Sequence, residues 1–331
     1  MRDRKIIIVT GGAGFIGSHM VDLLIDKGHE VHVIDNLQGG REDNILHHFN
    51  NPNFKFTNMD IRELNYNNPI FKKANYVCHF AGIGDIVPSI EKPLDYIDVN
   101  LNGTIKVLEC SRYAGIEKFV YAASSSCYGI AEVPTDENHK IQPEYPYALS
   151  KYFGEQAAFH WNKVYGLPVN SIRIFNAYGT RSRTSGAYGA VFGVFLKQKI
   201  ENKPLTVVGD GTQTRDFLYV TDVATAFLAA LETKMNGQVW NLGASNPQSV
   251  NKIVELLNSD VTYIPKRPGE PECTYADTAK IRSELNWKDK VSFEDGVKTL
   301  LLNIDYWKNA PLWTPDTIAI ATKNWFKYLD E

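Results

Sequence analysis

The chain has 331 residues, with 35 lysines and arginines against 38 aspartates and glutamates and a formal net charge of −3. No global positive field therefore draws it to nucleic acid or an anionic bilayer, and any bound anion must be held by local groups. Cys78, Cys110, Cys127 and Cys273 form no CxxC pair and no Cys/His cluster, which fits the reduced thiols of a cytoplasmic protein and offers no metal site.

Lys5 to Thr10 reads as a buried parallel strand, its Ile6–Val9 run being too short for a signal-peptide core or a membrane span. Gly11-Gly12-Ala13-Gly14-Phe15-Ile16-Gly17 follows at once, the pattern of a tight strand-to-helix turn that lets a dinucleotide's pyrophosphate reach a helix N-terminus. A helix over 18–28 and a strand over 30–35 complete the unit. Asp35 ends that strand about 20 residues past the glycines, where a carboxylate meets ribose hydroxyls and repels a 2′-phosphate, so NAD is expected over NADP. Asn44 to Asn53 reads as an irregular connection in which the adjacent His47 and His48 point apart. Strands are expected at 54–57 and 75–80, which brings Asp35, Asp60 and Ala81 to the carboxyl edge where ligands of open α/β sheets collect.

Residues 93–115 carry Leu94, Ile97, Leu101, Ile105 and Leu108 at helical spacing, giving one apolar face. Asn100 and Asn102 interrupt it, as solvated or capping side chains or, for a sharper reading, as partners of cofactor-lining backbone. A fifth strand, 118–123, delivers Ser124-Ser125-Ser126 to the same edge. The next helix, opened by Tyr145 and running to about Gly166, places Tyr147 and Lys151 four residues apart on one face. A fixed ammonium there would stabilise a phenolate and let the tyrosine act as a base nearer neutrality. Further helices are expected at 190–199, 222–232 and 250–257, and strands at 205–208, 239–242 and 261–264. The aromatic tail, with Trp307, Trp313, Trp325 and Phe326, reads as a helix packed on the body.

With these motifs in place, the sequence resembles the extended short-chain dehydrogenases/reductases of the nucleotide-sugar epimerase and dehydratase group over almost its whole length. Gly11, Gly14, Gly17, Asp35, Asp60-Ile61, Asn100, Ser124, Tyr147, Lys151, Arg173 to Gly179, Arg215-Asp216-Phe217 and Arg267 to Glu270 carry the likeness. It implies an α/β fold, a Rossmann-type doubly wound parallel sheet (1–175) with a smaller mixed α/β substrate domain (176–331) and possible exchange of elements between them. It implies NAD held by Gly11, Gly14, Phe15, Ile16, Asp35, Asn36, Asp60, Ile61, Ala81, Asn100, Tyr147 and Lys151, and chemistry by Ser124, Tyr147 and Lys151. A nucleotide-diphosphate sugar would meet Ser124, Ser125, Asn176, Arg183, Arg215, Arg267 and Glu270, with Thr274 near the sugar. Epimerisation at C4 through a 4-keto sugar is expected. A 4-dehydrogenase is the alternative, since the motifs do not separate the two; a non-catalytic NAD-binding regulator is the rival of another class. A 4,6-dehydratase is disfavoured because such relatives have Thr-Asp-Glu in place of Ser124-Ser125-Ser126. A homodimer through helices 93–115 and 145–166 completes the expectation.

Overall fold

The structure, a computed structural model, describes residues 4–182 and 190–329. Five β-branched or apolar runs pair side by side as β1 (Ile6–Thr10), β2 (Glu30–Asp35), β3 (Phe54–Asn58), β4 (Tyr76–His79) and β5 (Lys118–Ser124). With β6 (Val169–Ile174) and the strand Gln238–Leu242 they form one seven-stranded parallel sheet, in the order Gln238–Leu242, β6, β5, β4, β1, β2, β3. A parallel sheet covered by helices on both faces buries its strands whole, and β5 and β6 are buried almost throughout. The order reverses between β1 and β4, the crevice where open α/β sheets take ligands.

Helix α1 (Phe15–Asp26) follows β1 directly. Gly11 makes the turn at φ +70°, and a Cβ on Gly17 would stand 2.1 Å from the Gly11 carbonyl oxygen, so helix and strand can lie this close only as glycines. Beyond β4 the short α2 (Ile86–Glu91) precedes a single helical rod made of α3 (Pro93–Ile97), a wide π-helical turn over Asp98–Gly103, and α4 (Thr104–Ala114), stopped by left-handed Gly115. The expected apolar stripe does not face the core as a unit. Leu94 is 80% exposed, and Ile97, Leu101 and Ile105 are only partly covered, while Val99, Val107 and Leu108 are buried. Helix α5 (Pro146–Tyr165) lies against this rod.

The connection after β2 differs from its expected irregularity. Two short 3₁₀ turns, Glu42–Asn44 and Leu46–His48, bring His47 and His48 together with ring centroids 4.0 Å apart. Both histidines, expected to diverge, reach Asp22 Oδ1 on α1 at 2.9 and 2.7 Å, while Arg181 meets Oδ2 at 2.7 Å. A 3₁₀ turn by itself sets neighbouring side chains about 120° apart, so it is the shared acceptor Asp22 that gathers the two rings. Asp22 thus ties the first helix to the root of the segment after Gly179.

The C-terminal elements build a second hydrophobic cluster around Phe192, Phe195, Phe217, Phe293, Val297, Leu300 and Trp307, against which Phe15 and Ile16 of α1 also pack. The crevice lies where the two sides meet.

One buried ion pair fastens α5 to the sheet. Glu155 and Arg173 are 1% and 6% exposed at their side chains and meet at 2.6 Å. Ser171 donates to the same carboxylate, and Arg173 also donates to Tyr128 Oη, which passes a hydrogen bond to Asn241. Removing one partner strands a charge in a dry site. Glu155→Ala is expected to cost about 3–5 kcal/mol, read as a lower midpoint in chemical denaturation; an unchanged midpoint would show that the pair does not hold α5.

Candidate functional site

The glycine turn, the ends of β2, β4 and β5, and the first turns of α5 converge on one crevice. Gly14 caps α1 with no side-chain bond. The first-turn amides of a twelve-residue helix are therefore aimed outward, as an anion requires. Asp35 is 7% exposed, and its two oxygens accept from Ala13 N at 2.9 Å and Leu37 N at 2.8 Å. Burial pushes its carboxyl up and those amides pull it back. Each oxygen keeps acceptor capacity for ribose hydroxyls. These groups fit a dinucleotide without a 2′-phosphate.

Asp60, expected at the cofactor, already has partners in Arg62 and Asn36. It accepts from Arg62 N, Nε and Nη2 and from Asn36 Nδ2, and Arg62 holds its carboxyl low, at about 2. These contacts shape the loop that carries Ile61, which is itself buried against Gly103. Asn100, in the wide π turn, is 1% exposed; it accepts from Ile83 N and donates to Ile83 O and Ser150 Oγ. It thus pins the Ala81–Gly82–Ile83 backbone to α5.

Beneath that backbone lies a group that sequence reading treated only as a strand end. The Thr104 hydroxyl donates to Asn100 O at 2.7 Å, so it accepts from His79 Nε2 at 2.9 Å, leaving Nδ1 to accept from Thr10 at 2.6 Å. Burial lowers the His79 pKa to about 3, with Lys151 adding to the fall, so the ring stays neutral. A buried polar residue closing an otherwise apolar strand was the available signal.

Tyr147 and Lys151 share one face of α5, as their spacing requires. Lys151 is 8% exposed, with its ammonium 4.5 Å from the Tyr121 ring centroid and 3.8 Å from where a side chain on Gly82 would begin. Desolvation lowers its pKa to about 8, against a smaller opposing pull from Glu155. The phenol departs from the expectation that Lys151 would bring it toward neutrality. In the protein alone burial dominates and raises it, the Ser124 hydroxyl offsets part of that, and Asp85 pushes it further up. Ser124 also shares a hydrogen bond with Ser126 at 2.8 Å.

A cavity of about 460 Å³ opens from Ser124, Ser125 and Tyr147. Arg215, Arg267 and Glu270 line the same cavity, as do Asn176 and Thr274. Arg267 Nη2 is 2.9 Å from Glu270 Oε1, and Thr274 donates to Asn176 Oδ1 at 2.6 Å. Burial and the neighbouring Arg267 lower the Arg215 pKa, with Glu270 opposing. The two arginines, 52 positions apart, face one space. Arg183, expected at the substrate, lies outside the described residues. Two lining residues were missed by sequence reading: Tyr145, parallel to Tyr147 with centroids 6.4 Å apart, and Trp325 of the tail.

Three comparisons bear on this crevice. A family model described as GDP-mannose 4,6 dehydratase matches residues 8–300. A putative UDP-glucose 4-epimerase of Methanocaldococcus jannaschii is 39% identical over 305 residues, 89% of this chain and 97% of that protein. A UDP-glucuronate 4-epimerase of Thermodesulfobacterium geofontis is 33% identical over 306 residues, 88% of this chain and 93% of that one. The crystal structure of a UDP-glucuronic acid 4-epimerase from Bacillus cereus, in complex with UDP-glucuronic acid and NAD, superposes with a TM-score of 0.84 at 33% identity, covering 92% of this chain and 99% of that one.

The drop in the Lys151 pKa from 10.5 to about 8 corresponds to ~3 kcal/mol. The unfolded chain keeps a proton that the folded chain gives up between those values, so stability rises with pH across that window and the penalty is fully present below pH 8. Lys151→Met, free of it, should therefore be more stable than the parent at pH 7 in NAD-free protein, with the difference fading by about pH 10.5. Melting curves across that range check this; a gap independent of pH contradicts it.

Proposed function

The chain belongs to the extended short-chain dehydrogenase/reductase family of nucleotide-sugar enzymes, which the GDP-mannose 4,6 dehydratase model describes, and from that membership we propose that it is an NAD-dependent 4-epimerase of a nucleotide-diphosphate sugar. The observation that carries the reading is that Ser124 and Tyr147 open onto the same cavity as Arg215, Arg267 and Glu270. NAD, when bound, supplies the acceptor for the C4 hydride and the donor that returns it.

In this reading Arg215 and Arg267 grip the diphosphate, for which guanidinium forks are suited, and Asn176 adds a neutral donor. Glu270 meets the nucleoside ribose. Since the relatives named above act on UDP-sugars, we take the base to be uracil. Ser124 hydrogen-bonds the C4 oxygen while Tyr147 removes its proton, and the Lys151 ammonium steadies the phenolate that results. A 4-keto sugar forms and turns over in the cavity, so that the hydride bound NAD would return reaches the opposite face of C4 while Tyr147 gives the proton back to the C4 oxygen. Ser124-Ser125-Ser126 offers no carboxylate to take a proton from C5 or to assist loss of water at C6, so the sequence stops at epimerisation.

We place the protein in the cytoplasm, where its four free thiols suit a reducing setting; among the described residues no helix is long and apolar enough to cross a membrane. We further infer a homodimer. Leu94, Tyr113, Phe153, Val164 and Tyr165 all stand exposed on the α3–α4 rod and on α5, a concentration that two copies packed helix to helix would cover.

Two outcomes are expected. Tyr147→Phe should retain NAD and bind UDP-sugar while turnover falls by about 10²–10⁴; NMR of the product mixture without added oxidant should show C4 epimers with no net NADH absorbance from the parent enzyme. One equivalent of NADH with a released keto sugar would instead mark a dehydrogenase, and unaltered turnover in the variant would remove Tyr147 from the chemistry. Light scattering should give twice the chain mass, and Phe153→Glu should shift it to monomer; a monomeric parent refutes the dimer.

A further inference from the structure

The family model stops at residue 300, yet the chain continues, and its C-terminal residues turn back toward the cavity. Trp307 and Ile318 are sunk in the second hydrophobic cluster. Lys197 Nζ donates to Lys308 O at 2.7 Å, and Gln198 Nε2 to Trp313 O at 2.8 Å. The helix Pro315–Ala321, begun by a Thr314–Thr317 capping box, turns the chain so that the last helix, Lys323–Leu329, packs against α2. There Asn324 Nδ2 donates to Glu91 Oε1 at 2.9 Å, joining the tail to the element that brings Ile86 and Val87 to the cavity.

Trp325 is the point of this path. Its side chain is almost wholly buried but lines the cavity. The indole N–H donates to Pro268 O at 2.7 Å, fixing the backbone immediately after Arg267. The Arg267 guanidinium lies 6.0 Å from the indole ring centroid, and the Tyr145 ring stands 5.9 Å from it. Tyr145, parallel to Tyr147, continues the aromatic wall to the catalytic end. An aromatic face beside a guanidinium orients it without consuming its donors, and excluding water strengthens the arginine's pull on phosphate oxygens.

We propose that the C-terminal extension completes the nucleotide-sugar pocket, with Trp325 as a positioning residue that holds Arg267 toward the diphosphate and walls off that end of the cavity. The inference rests on the function proposed above, and it makes the tail part of the binding site rather than a cover for the core. Residues beyond the family's matched segment then set how tightly this enzyme holds its nucleotide sugar. The reacting groups are left as they are.

The test uses the full chain with UDP-glucose, UDP-glucuronate and free UDP as probes. Trp325→Ala, provided it retains NAD and melts as a folded protein, should raise KM for the sugar that is turned over by about tenfold or more, with kcat little changed, the signature of lost ground-state binding. Trp325→Phe, which restores the aromatic face, should recover most of that loss. Of the six tryptophans only Trp325 lines the cavity, so UDP should quench the parent's intrinsic fluorescence but not that of Trp325→Phe. This second readout does not depend on whether the alanine variant folds. A KM within about twofold of the parent in folded Trp325→Ala, or a quench that persists in Trp325→Phe, overturns the inference while leaving the enzyme reading intact. A parent protein that neither binds nor converts any of the three probes sinks both.

Discussion

The constraint on which the site depends is an ammonium kept in a dry place. Lys151 sits against the face of Tyr121, beneath the Ala81–Gly82 backbone, and its burial lowers its hold on a proton. Nothing in folding favours leaving a lysine there; the surrounding structure must over-determine it. Glu155, one turn along the same helix, draws Lys151 toward its charged form while its oxygens are locked to Arg173 and Ser171. Arg173 in turn is fixed to Tyr128, and Tyr128 to Asn241 on the strand Gln238–Leu242. The late strand that closes the sheet therefore bears on chemistry carried by α5.

A second, neutral network adjoins it through the Tyr121 ring. Thr10, His79, Thr104 and Asn100 join the ends of β1 and β4 to the wide π turn of the long helical rod. A π turn spends a residue without advancing the helix, and here it delivers the Asn100 side chain to the Ile83 backbone. One network is charged; the other is uncharged. Keeping the second neutral suits its position, because a charged His79 so near Lys151 would repel the ammonium that the site exists to hold.

Where the sequence was legible, one period or one turn dictated the structure. Glu30–Asp35, Leu205–Val208, Val250–Leu257 and Val261–Ile264 have the expected bounds, because each carries a short, clear apolar pattern of strand or helix period. The convergence of Ser124, Tyr147, Arg215 and Arg267 on one cavity was readable through resemblance, not through spacing. What escaped was cooperative. The meeting of His47 and His48 required a shared acceptor, Asp22, on another helix, which adjacent residues do not announce. The commitment of Asp60 to Arg62 and Asn36 depended on a loop conformation. The exposure of Leu94 on an apolar stripe is invisible to a rule that knows only period and not what lies opposite.

The phenol shows most clearly why the chemistry is a property of the loaded cleft. Alone, Tyr147 is raised by burial, and Lys151 is not among the groups that move it, even though four-residue spacing puts the two on one face. A shared face aligns side chains but does not by itself couple their charges; the Lys151 ammonium lies over the Tyr121 ring. For the tyrosine to serve as a base, positive charge must be brought to bear on it, and water must be shut out so that the charge counts. Bound NAD, whose oxidised ring is cationic, would supply the first condition, and a bound substrate that displaces water the second. On that account the resting protein protects an un-ionised phenol, and the base exists only when both halves of the crevice are filled.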